Sequence, residues 1–237
     1  MEVQLAGSGL DYEFIEGVEG RELPASSRAA LVDEAAVARF PRWLKPGTIG
    51  CILSHRLVLE RIAAADEGPA LVLEDDAVLS DDLAGLTAAL VPMVPSDGVI
   101  LLNFRSLSPC RISATGLPAV RGHELFMPVG LHTKHEPVSS LAYLVGQEAA
   151  RRMAELIVPV RFASDSWGEY VAGGAVRSLW CVLPRPVMPE PWVMSTVKHG
   201  RHVGLVPRLR ETSPIRQFRQ LNRRRLAWLH NRVQVVD

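Results

Sequence analysis

The 237-residue sequence predicts an α/β fold with a largely parallel sheet, on three observations. Helix-like and strand-like segments alternate through the first half of the chain. The strand-like runs, "ALVL" and "GVILL", are apolar without alternation, as in strands covered on both faces. The first of these runs ends on three adjacent acids, Glu74, Asp75 and Asp76. They stand where open α/β sheets bind ligands, beyond the carboxyl ends of strands.

The elements follow in order. "GLDYEFIEGVEG" (9–20) reads as a short strand and a turn, and the Ala-rich "SSRAALVDEAAVARF" (26–40) as a helix. In "LKPGTIGCILSHRLVLERIAAADEG" (44–68), Pro46 and Gly47 punctuate and Thr48 is the expected N-cap. Ile52, Val58, Leu59 and Ile62 repeat at helical spacing, and Gly68 closes the helix. The strand "ALVL" comes next, then the helix "LAGLTAALVPMV" and a second buried strand in "GVILLNF". Residues 105–138 look irregular. "SSLAYLV" is strand-like, "GQEAARRMAELI" helical and "VRSLWCVL" strand-like. The four prolines of "PRPVMPEPW" imply an extended end to the core. This places one domain over 1–200 and a tail over 201–237.

Hydrophobic residues make up 48% and charged residues 22%, the balance of a soluble globular chain. No apolar run reaches the ~18 residues of a membrane span. The first residues have neither the basic nor the apolar region of a signal peptide. Cys51, Cys110 and Cys181 are odd in number and far apart, which argues against a disulfide framework and against a CxxC zinc site and fits a reducing cytoplasm. Net charge is zero, yet residues 207–237 carry eight Arg against Glu211 and Asp237, a net +6, so the first 206 residues carry −6. In "SPIRQFRQLNRRRLAWLHNR" (213–232) apolar residues recur near helical spacing with Arg between them. The expectation is a basic amphipathic helix, docked either on the core or on an anionic membrane surface with Trp228 as anchor. The acidic remainder carries no nucleic-acid motif, so no nucleic-acid partner is expected.

Three adjacent carboxylates repel unless they cap a turn, face water or hold a cation. A solvated strand-end turn is the plain reading. The functional one is a site for Mg²⁺ or Mn²⁺, hard cations that take oxygen ligands and leave positions open for phosphate.

"LKPGTIGCILSH", about fifteen residues and then "LVLEDDAVLSDD" resemble glycosyltransferase family 25, the lipooligosaccharide glycosyltransferases. "GLDYEFIEGVEGREL", "SSLAYLVGQEAARRM" and "ASDSW" resemble further segments of it, in the same order. The resemblance implies a GT-A-type, Rossmann-like sheet that binds a UDP-sugar with a divalent metal, and metal-assisted, inverting transfer of a sugar such as galactose to a lipooligosaccharide or other glycan. Such an enzyme would work in the cytoplasm, on the inner face of the membrane. Asp76 and Asp75 are then the expected metal ligands, and Glu74, Asp75, Ser54 and His55 would face the donor. Asp165 becomes the expected base and Glu169 the reserve, with Trp167 available to stack on a sugar. The bland alternatives are a polar helix face for Ser54 and His55, an N-cap for Asp165, and solvent exposure for His132, Lys134 and His135. Two departures stand out. Thr48 replaces a Glu common in the family, and Met1 falls inside the family's first helix, so the fold is expected to be N-terminally shortened by one strand. A non-catalytic glycan- or nucleotide-binding remnant of the fold is the alternative function.

Overall fold

The structure is a computed structural model and describes residues 1–65, 67–190 and 233–236. Four helices open the chain: α1 (Glu2–Ala6), α2 (Ala25–Leu31), α3 (Glu34–Arg39) and α4 (Pro46–Ala64). The single helix expected over 26–40 is divided between α2 and α3. Val32 is extended and bridges Val160 in parallel, and Asp33 restarts the helix by accepting the Ala36 N–H at 3.0 Å. Pro46 takes the first turn of α4 after Lys45 as N-cap, so Thr48 lies inside the helix rather than at its cap.

Residues 11–19 form no strand. They run along α4, where the Val18 N–H donates to Ser54 Oγ at 2.8 Å and Arg61 pairs with Glu13 at 3.0 Å. The close approach needs glycine on both sides. A Cβ on Gly20 would stand 2.6 Å from Gly50 N, and one on Gly50 would stand 2.7 Å from Gly20 N.

Next come β1 (Ala70–Leu73), β2 (Ala77–Leu79), α5 (Leu83–Leu90) with a 3₁₀ turn, β3 (Gly98–Leu101), β4 (Cys110–Val120), β5 (His123–Pro128), β6 (Ala142–Val145), α6 (Gln147–Ile157), α7 (Trp167–Ala172), β7 (Ser178–Leu183), β8 (Val187–Pro189) and β9 (Val233–Val236). The main sheet has the order β1-β6-β3-β7-β5-β4-β9, and β2 pairs with β8 in a separate ribbon. The sheet is mixed, not largely parallel as expected. Only β3–β7 and β4–β9 are parallel; β1–β6, β3–β6, β5–β7 and β4–β5 are antiparallel. The apolar runs record burial on both faces and carry no information on direction. Val72, Val99, Leu101, Tyr143, Val145, Leu179 and Cys181 face a core shared with α4 and α6. Ile100, Leu102, Ala142, Leu144 and Val182 face the opposite core, with Leu83, Leu86 and Leu90 of α5. The alternation with period two places the sheet between two helical layers.

The stretch read as irregular contains the β4–β5 hairpin. Arg121 (φ 50°) and Gly122 (φ 82°) make its two-residue turn between Val120 and His123. Asp82 grips Arg121 at 2.7 and 2.8 Å. The basic helix expected in the tail lies outside the described residues as far as Arg232. Val233–Val236 pairs in parallel with Cys110–Ser113 at the sheet margin. The proposed boundary at residue 200 also lies outside the described residues.

Candidate active site

The strand order builds the site. β1 and β3 point the same way, with β6 inserted antiparallel between them. The residues that follow β1 and β3 and those that precede β6 therefore meet at one end of the sheet. These are Glu74–Asp76, Leu102–Arg105 and Ser139–Ser140. α4 supplies Cys51 and His55 from one face, four residues apart, and the loop before α7 supplies Ser164 and Asp165.

Glu74 is the hub. Its Oε1 accepts from Ser140 Oγ at 2.5 Å and from His55 Nε2 at 3.2 Å. His55 Nδ1 lies 3.0 Å from the Tyr143 hydroxyl. Ser140 Oγ is 3.2 Å from Ser164 Oγ, which is 3.7 Å from Cys51 Sγ. Burial by itself would pull the His55 imidazolium down, but Tyr143, Cys51 and Glu74 together push it well above its ordinary range. Burial opposes ionisation of Glu74, and its hydrogen bond to His55 outweighs that and holds the carboxyl low. The two form an ion pair at the base of the cluster, with His55 buried and the Glu74 side chain 32% exposed.

Asp76 sits one step further out, between β1 and the β2–β8 ribbon. Its backbone carbonyl accepts the Glu190 N–H at 2.8 Å. Its Oδ1 is buried and has no hydrogen-bond partner, a costly arrangement for a carboxylate. Burial, then Glu74 and Asp75, push its pKa up. Asp75 is exposed beside it. An orphaned carboxylate oxygen among crowded like charges fits a hard divalent cation, and Asp75 and Asp76 are oxygen donors of the right kind. Cys51, His55 and Glu74 form a second group able to coordinate a metal ion, with one ligand atom from each within 4.8 Å of the others.

Asp165 lies in the same field. Burial raises its carboxyl and Glu74 adds to this, while Arg105 and His55 act against it. It is not the helix cap, since Ser166 takes that position in α7. Ser54 and Glu169 fall outside the cluster. The Ser54 hydroxyl donates to Gly50 O at 2.9 Å and accepts from Val18, which ties the N-terminal segment to α4. Glu169 is exposed and faces His132 at 3.5 Å. Trp167, expected as a sugar platform, is fully buried against Tyr143 and donates to Ser139 O at 3.1 Å.

Sequence reasoning missed Ser140, Ser164, Tyr143 and Arg105. Arg105 is exposed and follows β3, with its backbone locked to Val138 by bonds of 2.9 and 2.7 Å. Its charge acts on Glu74, Asp76 and Asp165. A cation just past a buried strand end was the available signal. Ser139 (φ 133°) holds a backbone conformation rare outside glycine, pinned where its hydroxyl donates to Asn103 Oδ1 at 2.9 Å.

A layered α/β molecule with carboxylates gathered at the strand ends has its candidate site where open α/β sheets bind ligands. Residues 1–167 match the family model described as Glycosyltransferase family 25 (LPS biosynthesis protein). The chain belongs to that family, and the α/β fold with its mixed sheet and flanking helices is consistent with the family's GT-A-like architecture. It is also similar to a "Glycosyltransferase 25 family member" of Aedes aegypti, 36% identical over 76 residues. That match covers 29% of this chain and 12% of the mosquito protein. Among the described residues no helix is long and apolar enough to cross a membrane.

Proposed function

We propose that the protein transfers a sugar from a UDP-sugar to a glycan or glycolipid acceptor with inversion at the anomeric carbon. The observation that carries the reading is the orphaned, buried Oδ1 of Asp76 beside Asp75, at the end of the sheet where the other polar groups converge. Asp76 and Asp75 would hold Mn²⁺ or Mg²⁺, which when bound supplies charge neutralisation for the departing diphosphate. The chain's own groups supply the rest. Asp165 accepts the proton of the acceptor hydroxyl as that oxygen bonds to the anomeric carbon. The bond from that carbon to the diphosphate oxygen breaks with its electron pair, and Arg105 faces the charge that develops. His55, Tyr143 and Ser140 keep Glu74 ionised and fixed, so that the floor of the site stays rigid. The three free cysteines and the Arg-rich tail support work in the cytoplasm at the inner membrane face, on a lipooligosaccharide-type acceptor.

Calorimetry of UDP binding with and without Mn²⁺ tests the reading. UDP should bind more tightly with the metal, and Asp76→Ala should erase that gain. UDP affinity indifferent to both metal and substitution would overturn it.

A further inference from the structure

We infer that Cys51, His55 and Glu74 form a second cation site that takes a borderline-soft divalent ion of the Zn²⁺ class, chemically distinct from the all-oxygen pair Asp75–Asp76. The inference stands whether or not the chain transfers a sugar.

The ligand set comes first. One ligand atom from each of the three residues lies within 4.8 Å of the others. In a tetrahedral site with bonds of ~2.0–2.3 Å, ligand atoms sit roughly 3.4 Å apart. His55 Nε2 and Glu74 Oε1 already meet that spacing at 3.2 Å. Cys51 lies one helical turn before His55 on α4, so both side chains leave the same face. Its sulfur already lies within 4.8 Å of both other ligand atoms, and closing on an ion would give up the long 3.7 Å contact with Ser164 Oγ.

The supporting bonds are those of a metal site. A ligating imidazole usually donates its other ring N–H to a fixed acceptor, which sets the tautomer. His55 Nδ1 has the Tyr143 hydroxyl at 3.0 Å, leaving Nε2 on the Glu74 side. Ser140 Oγ orients Glu74 at 2.5 Å, as an outer partner orients a ligating carboxylate. Ser164 Oγ, 3.7 Å from Cys51 Sγ and 3.2 Å from Ser140 Oγ, is a further oxygen beside the three ligands. An ion can reach the group from solvent, since Glu74 and Cys51 are both part-exposed.

The donor atoms select the ion. A thiolate with an imidazole favours Zn²⁺ or Co²⁺ over Mg²⁺ and Mn²⁺, whereas Asp75 and Asp76 offer only carboxylate oxygen. Binding releases the Cys51 thiol proton and the His55 Nε2 proton of the ion pair to solvent, the ion taking that proton's place between Nε2 and Glu74. No electron transfer is involved.

Cobalt reports the sulfur directly. Protein freed of metal with a chelator is titrated with Co²⁺ and its near-ultraviolet absorption recorded. One equivalent should give a thiolate-to-cobalt charge-transfer band, displaced by Zn²⁺, abolished in Cys51→Ser and retained in Asp76→Asn. No band in the wild type, or an undiminished band in Cys51→Ser, overturns the site. A wild-type experiment covers the case in which the variant misfolds. Cys110 and Cys181 are buried, so native alkylation reads Cys51, and one equivalent of Zn²⁺ should slow it at least tenfold. Equal alkylation with and without Zn²⁺ also overturns the site. Loss of Mn²⁺-linked UDP binding in Asp76→Ala, with the cobalt band intact, separates failure at the two sites.

Discussion

At the scale of single residues, the acids divide by environment. Asp165 sits in the field of the site and does not cap its helix, so Asp165→Asn should cut transfer by ~10²–10⁴-fold while UDP and Mn²⁺ affinity stay put. A steady-state assay paired with calorimetry checks this; wild-type transfer would discard Asp165 as the base and make Glu169 the next residue to test. Tyr143→Phe tests the buried network. It leaves the His55 Nδ1–H without its acceptor, at a cost of ~1–3 kcal/mol in denaturant unfolding. The three acids and His55 were legible in the sequence because each lies in a compact local pattern. Ser140 and Ser164 were not, because loops far apart in the chain bring them together and nothing local marks them; Arg105 carried a local signal, a cation just past a buried strand end, that only the assembled site makes meaningful. Trp167 misled for a related reason: an aromatic beside a catalytic candidate looks the same whether it faces a sugar or the core.

At the scale of elements, α4 and α6 were readable from their periodicity, and β1, β3, β6 and β7 from their apolar runs. The β4–β5 hairpin was hidden because Gly116 and Pro118 break off, after six residues, the apolar–polar alternation that Cys110 to Thr115 carries. α4 makes the sharpest test. Ala in place of Gly gains up to ~1 kcal/mol of helix propensity. At Gly50 the added methyl meets backbone that cannot swing aside, which costs ~1–3 kcal/mol. Gly50→Ala should therefore lower stability, as measured by urea unfolding. α6 offers a pH test. Arg151, with help from Arg152, holds the Glu148 carboxyl down at about 2. A depressed carboxyl contributes stability above its ordinary range and loses it as pH falls toward the folded value. Glu148→Gln should flatten the acid limb between about pH 4.5 and 2, and only slightly, since the pair is exposed.

At the scale of the whole molecule, the charge map sets +6 over residues 207–237 against −6 elsewhere. The tail should bind anionic vesicles in a salt-sensitive way, because exposed charges are screened beyond ~8 Å at physiological ionic strength. Removing the tail would also remove β9, whose Val233 packs on the core, and would bare the margin of β4. Replacing Arg223, Arg224 and Arg225 by Gln is the cleaner change. Sedimentation with vesicles should show binding fall severalfold while the Tm holds, and unchanged binding would discard the membrane role.

The antiparallel β6 between β1 and β3 also acts as a ruler. Two interstrand spacings, about 9.6 Å in all, separate the chain where it leaves β1 from the chain where it leaves β3. Backbone hydrogen bonds set that span, so no side-chain substitution can narrow it. Point changes at the rim can retune charge, metal preference or proton transfer, but the gap between the ends of β1 and β3 passes unaltered to every variant that keeps this strand order.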